Sequence, residues 1–354
     1  MEKLKVAVLF GGVSSEYEVS LETAHNVLTN LPRREFEVFP IGITKQGRWF
    51  FYSGPIEKIP NGDWAFDEKN CKPVVFSADP AVKGFLRLEA NSKCFLMKVD
   101  CIFLALHGRN GEDGRLQGFF EAAKIPFVGS GLIGSALCMD KELTHKILES
   151  HGIKMAKYLS IKSQDLGSID DFCKDLEKKL KFPLFIKPAN SGSSIGISKC
   201  THLQYVKDAI LKAFEFDNKV VCEQAISNCR EIECAVIGND NPVAAECLGE
   251  IEASGEFYDY DSKYRIESKL MIPANLSEET AKKVRQIAVD AFKAVGCRGF
   301  ARVDFLISEE DGTVLNEINT LPGFTGISMF PKLWAASGLK TPQLLAKLVK
   351  LALE

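Results

Sequence analysis

Apolar runs alternate with amphipathic stretches through the first third of the chain. The runs "LKVAVLF", "FEVFPIGIT" and "VDCIFLAL" predict strands. Helices are predicted from about Glu18 and over "DGRLQGFFEAAKI", which leads into a short strand, "PFVG". Strands that alternate with helices are typical of a parallel sheet with helices on both faces. Residues 1–133 are therefore predicted to form an N-terminal α/β domain with a doubly wound parallel sheet.

The pattern changes near Gly131. A helix is predicted over "SALCMDKELTHKILESHGI", with Asp140 as a candidate N-cap and Gly152 as a stop. The amphipathic helices "SIDDFCKDLEKKL" and "LQYVKDAILKAF" are interleaved with the strands "FPLFIKP" and "NKVVCEQAI". Residues 134–226 are therefore predicted to form a small α+β domain.

The last third, residues 227–354, begins with the strands "REIECAVIG" and "NPVAAECLGEI". A polar loop and the helix "SEETAKKVRQIAVDAFKAVG" follow. Two strands, "GFARVDFLIS" and "TVLNEIN", then flank the turn "EEDG", and Asp-Gly between two strands is a strong hairpin signal. The helix "TPQLLAKLVKLAL" ends the chain, so a third domain, also α+β, is predicted.

Polar side chains interrupt both strands of this hairpin. Because residues two apart on a strand share a face, Arg302 lies beside Asp304, and Glu317 beside Asn319. If the two faces coincide, three oxygen ligands meet one guanidinium. Mg²⁺ accepts such oxygens and leaves its other positions to phosphate and water. The alternative is a solvent-facing hairpin with alternating charge.

A second group of residues is suited to phosphate. Lys187 ends the strand "FPLFIKP", and the loop "NSGSSIG" follows it directly. Small residues let backbone N–H groups approach phosphate oxygens, and Ser193 and Ser194 add hydroxyl donors. No Walker A motif is present, and a plain flexible hairpin loop is the alternative. Lys141, taken alone, reads as a surface lysine.

Two loops of the N-terminal domain follow predicted strands, where ligands collect in parallel sheets. Glu16 in "GGVSSEYEVS" precedes a helix, where the dipole favours a carboxylate that could also hold an ammonium group. His107 in "LHGRNGEDG" could bind a carboxylate ligand or simply cap the loop. No GxSxG nucleophile motif is present.

Composition narrows the class of protein. The 354 residues are 46% hydrophobic and carry a net charge of −3, so a nucleic-acid partner is not expected. No apolar run approaches the length of a membrane span, so no membrane association is expected. The 11 cysteines include no CxxC pair and predict reduced thiols in the cytosol, with a zinc site poorly supported.

Seven ordered segments together resemble the D-alanine–D-alanine ligases of the ATP-grasp superfamily. They stand here as "LFGGVSSEYEVSLETA", "LHGRNGEDGRLQG", "CMDKELTHKIL", "FPLFIKPANSGSSIGISK", "YDYDSKY", "GFARVDF" and "LNEINTLPGFTGISMFPKLW". The resemblance implies an N-terminal α/β domain followed by a two-domain ATP-grasp fold. It also implies a cytoplasmic homodimer that makes D-alanyl-D-alanine for peptidoglycan through an acyl phosphate. ATP and two Mg²⁺ ions, with Mn²⁺ able to substitute, are the implied cofactors.

The resemblance also implies roles for individual residues. The nucleotide would be held by Lys141, Lys187, Ser194, Glu223 and Glu231, and the metal ions by Asp304, Glu317 and Asn319. Glu16 would anchor the ammonium group of the first D-alanine, coupled through Ser193 to Tyr264 and to the loop around Lys263, while His107 would help position that substrate. Ser328, next to Met329, would bind the carboxylate of the second D-alanine, and Arg302 and the Gly323 N–H would stabilise the oxyanion.

Several readings remain open. Ligases that use D-serine or D-lactate as second substrate are close relatives, and Lys263-Tyr264 and Met329 resemble the D-alanine type. Tyr17, in contrast, stands where D-serine ligases often have tyrosine. A nucleotide-binding regulatory protein without turnover, or another ATP-grasp ligase, would share some of the motifs but not all of them.

Overall fold

An eight-stranded sheet forms the N-terminal part of the computed structural model, which describes residues 2–89, 93–252 and 269–354. Its strands and helices are β1 (Leu4–Gly11), α1 (Tyr17–Asn30), β2 (Phe36–Ile43), β3 (Trp49–Tyr52), β4 (Cys71–Phe76), β5 (Gly84–Leu88), β6 (Cys94–Lys98), β7 (Cys101–Ala105), α2 (Arg115–Ala122) and β8 (Phe127–Val128).

Only half of this sheet is parallel. The strand order is β6-β5-β4-β3-β2-β1-β7-β8, and β2, β1, β7 and β8 run parallel as the sequence predicts. Strands β3 to β6 extend the sheet in antiparallel pairs. Antiparallel neighbours need only short connections, whereas parallel ones need a crossover. The sequence analysis did not predict this extension, because residues 49–98 carry no helical crossover pattern.

A four-stranded antiparallel sheet in the order β11-β10-β12-β9 forms the central part. Its elements, with the two preceding helices, are α3 (Leu132–Met139), α4 (Lys141–Ser150), β9 (Tyr158–Lys162), α5 (Ile169–Lys179), β10 (Leu184–Pro188), β11 (Ser198–Cys200), α6 (Val206–Ala213) and β12 (Lys219–Gln224). The single helix predicted here is divided at Asp140, whose side chain caps α4 by accepting from the Leu143 N–H at 3.1 Å. Gly152, at φ +74°, follows the end of α4 as predicted.

The C-terminal part contains an antiparallel sheet in the order β16-β15-β13-β17-β18, with β14 paired to β13. The elements are β13 (Arg230–Gly238), β14 (Val243–Ala244), β15 (Gly249–Glu252), β16 (Lys269–Met271), α7 (Glu278–Ala294), β17 (Gly299–Ser308), β18 (Gly312–Asn319), α8 (Met329–Ala336) and α9 (Thr341–Ala352). Helix α9 packs against β8 and α1, so the C-terminal helices share the core of the N-terminal sheet. The domain limits at 133/134 and 226/227 stay a prediction.

None of the helices in the described ranges combines the length and the apolar character that crossing a bilayer would require.

The predicted hairpin forms between β17 and β18. Arg302 pairs with Asn319 and Asp304 with Glu317, so the two polar faces coincide as the alternation in the sequence predicts. The register shifts after Asp304, which marks a bulge or irregularity at this polar face. Bulges re-aim side chains, and they are common beside active sites.

The segment that follows β8 approaches the start of β17 closely at its backbone. A Cβ atom on Gly299 would lie 3.1–3.3 Å from the backbone of Gly129, and Gly299 has φ +71°. The Ser130 hydroxyl donates to the Arg298 carbonyl at 3.1 Å and accepts from the Arg298 N–H at 3.3 Å. This joint fixes the strand that carries Arg302 relative to the N-terminal sheet.

We expect Gly299→Ala to lower the free energy of unfolding more than Gly296→Ala does. Both glycines have positive φ, but a Cβ on Gly296 meets nothing within 4 Å. The pair therefore shares the backbone strain, and the difference isolates the contact with Gly129, about 1–2 kcal/mol. Urea unfolding of both variants measures it. Equal losses would show that the close approach does not constrain β17.

Candidate active site

One cavity of about 710 Å³ is lined by residues from all three parts of the chain. Most of the predicted site residues line it: Glu16, His107, Lys141, Ser193, Glu231, Arg302, Asp304, Glu317, Asn319, Gly323, Ser328 and Met329. Lys187, Ser194 and Glu223 are not among the lining residues. Lys263 and Tyr264 lie outside the described residues.

The side of the β17–β18 hairpin that carries Arg302, Asp304, Glu317 and Asn319 is called the hairpin face. Arg302 and Asp304 form its centre. The guanidinium donates to both oxygens of Asp304, from Nε at 2.8 Å and from Nη2 at 2.7 Å. Its Nε also lies 3.2 Å from Glu233 Oε2. Burial would lower the pKa of Arg302, but Asp304, Glu233 and Glu317 raise it well above its ordinary value. The guanidinium therefore stays charged and fixed in direction.

Glu233 is a buried residue of this group that the sequence analysis missed. It lies on β13, directly opposite Asp304 on β17. The signal was present, because Glu231 and Glu233 are two apart on a strand and so share one face, as Arg302 and Asp304 do. The acidic pair in the largely apolar strand "REIECAVIG" was the signal from which Glu233 could have been identified.

The hairpin face carries oxygen donors of the kind that Mg²⁺ binds. Across the described part of the chain, no group of three or more His, Cys, Asp or Glu side chains could hold a metal ion. A magnesium site that also binds phosphate needs only one or two carboxylates, with phosphate and water completing the shell. Asp304, Glu317 and Asn319 offer two carboxylates and an amide oxygen beside the cavity. The residues present therefore fit a magnesium nucleotide.

Glu16 and Ser193 are in direct contact, although 177 residues separate them. The Ser193 hydroxyl donates to Glu16 Oε1, and Glu16 is only 7% exposed. A Cβ on Gly108, which has φ +66°, would lie 2.2 Å from Glu16 Oε2, so a larger residue here would displace this carboxylate. Ser193 and Ser194 have φ +49° and +58°, a backbone conformation that non-glycine residues rarely adopt outside functional sites.

Lys187 and Glu223 contact each other rather than the cavity. Lys187 Nζ pairs with Glu223 Oε2, and His145 Nε2 lies 3.0 Å from Glu223 Oε1. Burial would raise the pKa of Glu223, but Lys187 and His145 hold it well below its ordinary value. His145 itself lines the cavity and was not predicted. It connects the cavity to the buried pair.

A charge network fixes the start of α4, where Lys141 donates from Nζ to the Ser191 carbonyl at 2.6 Å. Lys219 Nζ lies 2.6 Å from Asp140 and 3.0 Å from Glu142. Burial would raise the pKa of Glu142, but hydrogen bonds from Lys146, Lys219 and Ser160 lower it to about 2. The network links α4 to β12 and so helps to fix the backbone that carries Lys141.

The segment before α8 and the first turn of that helix also line the cavity. Gly323, Ser328 and Met329 line it, together with Lys332, which the sequence analysis did not identify. The Ser328 hydroxyl accepts from the Thr325 N–H at 3.0 Å. Tyr17 is buried beside Gly11 and is not among the lining residues, so its side chain does not contact the cavity directly.

Comparisons with known proteins agree across the whole chain. Two family models match, described as D-ala D-ala ligase N-terminus over residues 5–130 and D-ala D-ala ligase C-terminus over residues 147–350. The D-alanine--D-alanine ligase of Ruminiclostridium cellulolyticum is 46% identical and covers 100% of this chain and 96% of its own length. D-alanine--D-alanine ligase A of Escherichia coli K12 is 44% identical and covers 100% and 97%.

Two solved structures of related ligases superpose on the chain over nearly its full length. The VanG D-Ala:D-Ser ligase from Enterococcus faecalis superposes with a TM-score of 0.89 at 43% identity, covering 99% of this chain and 100% of that one. The D-alanine-D-alanine ligase from Coxiella burnetii superposes with a TM-score of 0.85 at 34% identity, covering 99% and 95%.

The Glu142 network predicts a pH dependence of stability. Because the pKa of Glu142 in the folded protein, about 2, lies below its ordinary value of 4.5, the stabilisation is present above about pH 4.5 and is lost as the pH falls towards 2. Glu142→Gln lacks it. The stability difference between wild type and variant should shrink by about 1–3 kcal/mol, allowing for solvent screening. Urea titrations over this pH range measure it, and a constant difference would contradict the network.

Proposed function

The chain belongs to the D-alanine–D-alanine ligase family, and we infer that it joins two D-alanine molecules in an ATP-dependent reaction. The observation that carries this inference is the convergence of three groups on one cavity: the hairpin face, the Glu16–Ser193 contact and the segment from Gly323 to Ser328. They suit a metal nucleotide, an ammonium group and a carboxylate, respectively. Peptidoglycan precursor synthesis is the proposed use of the product.

The chemistry explains why no nucleophilic side chain is required. A carboxylate is a poor electrophile, so the carboxylate of the first D-alanine is first phosphorylated by ATP. The amine of the second D-alanine then attacks the acyl phosphate, forming the amide bond and releasing phosphate. Positioning and charge neutralisation are what such transfers require from a protein.

For the nucleotide, we propose that Lys141 and Lys187 hold phosphates, with Ser194 donating from the loop. Glu223 would face the adenine and Glu231 the ribose. Lys187 and Glu223 pair with each other, and His145, which bonds Glu223, lines the cavity. Glu231 already lines the cavity, which supports its part directly.

For the metal, we propose that Asp304, Glu317 and Asn319 hold two Mg²⁺ ions, with Mn²⁺ able to replace them. When bound, the ions would neutralise phosphate charge and help to align the reacting groups. The residues of the chain contribute orientation: β17 and β18 place the three oxygens on one face. The Asn319 side chain also accepts from the Leu321 N–H at 2.9 Å, so this ligand is linked to the Gly323 segment.

For the first D-alanine, we propose that Glu16 holds the ammonium group and that His107 helps to position the substrate. The Ser193 contact supports Glu16 in this role, because it fixes the carboxylate in a buried position. Arg302 and the Gly323 N–H would stabilise the tetrahedral oxyanion. Tyr264 and the loop around Lys263 would close over the site, which matters because an acyl phosphate hydrolyses in water.

For the second D-alanine, we propose that Ser328 binds the carboxylate beside Met329, with Lys332 as an added cation. D-serine as second substrate is the alternative, favoured by the likeness to the VanG D-Ala:D-Ser ligase. The burial of Tyr17 away from the cavity removes one argument for that alternative. D-lactate is a weaker alternative, because the loop sequence Lys263-Tyr264 resembles that of the D-alanine type. We also propose that the protein is a homodimer. A cytoplasmic location, which suits the free cysteines, completes the proposal.

We expect the purified enzyme to release phosphate from ATP only when D-alanine and Mg²⁺ are both present. With equal D-alanine, D-serine and D-lactate, mass spectrometry should find D-alanyl-D-alanine as the main product. ATP turnover at the same rate without D-alanine would contradict the assignment. A dominant D-alanyl-D-serine or depsipeptide product would replace the second substrate and leave the ATP chemistry intact.

Glu317→Gln should lower kcat about 100-fold or more, because the amide removes the charge that faces the metal nucleotide. Glu310→Gln is the matched control, since Glu310 is exposed in the turn of the same hairpin, and its kcat should equal that of the wild type. Steady-state kinetics with D-alanine and magnesium ATP measures both. An unchanged kcat for Glu317→Gln would remove this residue from the metal set.

A further inference from the structure

Helix α1 holds the backbone of Phe324, the residue after Gly323, at both of its polar groups. The Phe324 N–H donates to Thr23 Oγ1 at 3.3 Å, and Asn26 Nδ2 donates to the Phe324 carbonyl. Thr23 and Asn26 are three residues apart, so they lie on one face of α1. A helix of the N-terminal part therefore anchors a loop of the C-terminal part through two hydrogen bonds.

Thr23 also contacts His107. Its hydroxyl lies 2.9 Å from His107 Nε2, and His107 Nδ1 lies 3.4 Å from Glu112 Oε1. Because a carboxylate only accepts, Nδ1 carries a proton, and in the neutral ring Nε2 then accepts from Thr23. The hydroxyl thus donates to His107 while it accepts from Phe324. Thr23 is 1% exposed, so water cannot replace either bond.

The other side of the same segment is anchored as well. Leu321 N–H donates to Asn319 Oδ1 at 2.9 Å, and a Cβ on Gly323 would lie 2.7 Å from Ser328 Oγ. The Phe324 ring packs against Phe103, Phe300 and Phe330, whose ring centroids lie 6.0, 6.0 and 5.7 Å away, respectively. Gly323 therefore lies between fixed neighbours on both sides.

We propose that Thr23 and Asn26 are positioning residues that set the location of the Gly323 N–H for the amide-forming step. The proposal rests on the proposed function, in which this N–H faces the oxyanion. Stabilisation of an oxyanion depends on donors that are already in place before charge develops. Thr23 and Asn26 supply that placement from α1, the helix that begins directly after Glu16. First-substrate pocket and oxyanion donor would then share one support.

The test compares Thr23→Val, which keeps the side-chain shape but loses the hydroxyl, with Asn26→Ala. We expect each to lower kcat about 10-fold to 100-fold, the size of effect that a small misplacement produces. Thr23→Ser should restore kcat to within about threefold, because its hydroxyl can make the same bonds. Thr29→Val is the matched control, since Thr29 is exposed on the same helix and its hydroxyl donates to the His25 carbonyl.

A second readout separates positioning from general damage. Positional isotope exchange in oxygen-labelled ATP reports the first step, and dipeptide formation reports the second. If the variants impair the second step, more acyl phosphate reverts, so the ratio of exchange to dipeptide formation should rise. Because both side chains hold one residue, the double variant should lose less than the product of the single losses.

Three results would overturn the proposal: an unchanged kcat in both single variants, a ratio of exchange to dipeptide formation equal to that of the wild type, or no recovery in Thr23→Ser. If Thr23→Val does not fold, Asn26→Ala gives the same readouts. A wild-type enzyme that forms no dipeptide would contradict the proposed function. A wild-type enzyme that forms dipeptide while the variants behave like Thr29→Val would contradict only this inference.

Discussion

A charged guanidinium surrounded by carboxylates is the interaction on which the site depends. The Arg302 guanidinium donates two hydrogen bonds to Asp304 and forms an ion pair with Glu233. Glu317 on the neighbouring strand also raises the pKa of Arg302. Carboxylates placed this close would repel one another without a cation between them, and an unpaired buried charge costs about 3–5 kcal/mol. The pairing allows Asp304 and Glu317 on the hairpin, and Glu233 on the neighbouring strand, to lie close together at one cavity.

That hairpin is useful only because other parts of the chain meet it. The Gly129–Gly299 contact sets β17 against the N-terminal sheet, and the Ser193–Glu16 contact joins the glycine-rich loop to the start of α1. The hydrogen bonds from α1 to the Phe324 backbone join the N-terminal part to the segment that carries Gly323. Each contact crosses between parts with separate sheets, so the cavity is a property of their assembly and no single sheet contains it.

Local pattern accounts for most of what the sequence predicted. The alternation at Arg302, Asp304, Glu317 and Asn319 predicted a shared face, because period two on a strand decides direction before any tertiary contact exists. The antiparallel half of the first sheet was missed because strands joined by short connections lack the helical crossovers that mark the parallel half. The Lys187–Glu223 pair and the Thr23 contacts could not be predicted, since they join residues far apart in the chain. Family resemblance, rather than pattern, supplied the roles of Gly323 and Ser328, whereas the position of Glu16 before a helix already suggested an ammonium site.

The most direct test of the central claim is the location of the metal. Crystals grown with Mn²⁺, a non-hydrolysable ATP analogue and D-alanine would reveal it through anomalous scattering. The account predicts peaks on the shared hairpin face, within coordination distance of oxygens from Asp304, Glu317 and Asn319, and between that face and the phosphates. Peaks elsewhere in the cavity, or an ordered nucleotide whose metal contacts none of the three, would contradict it.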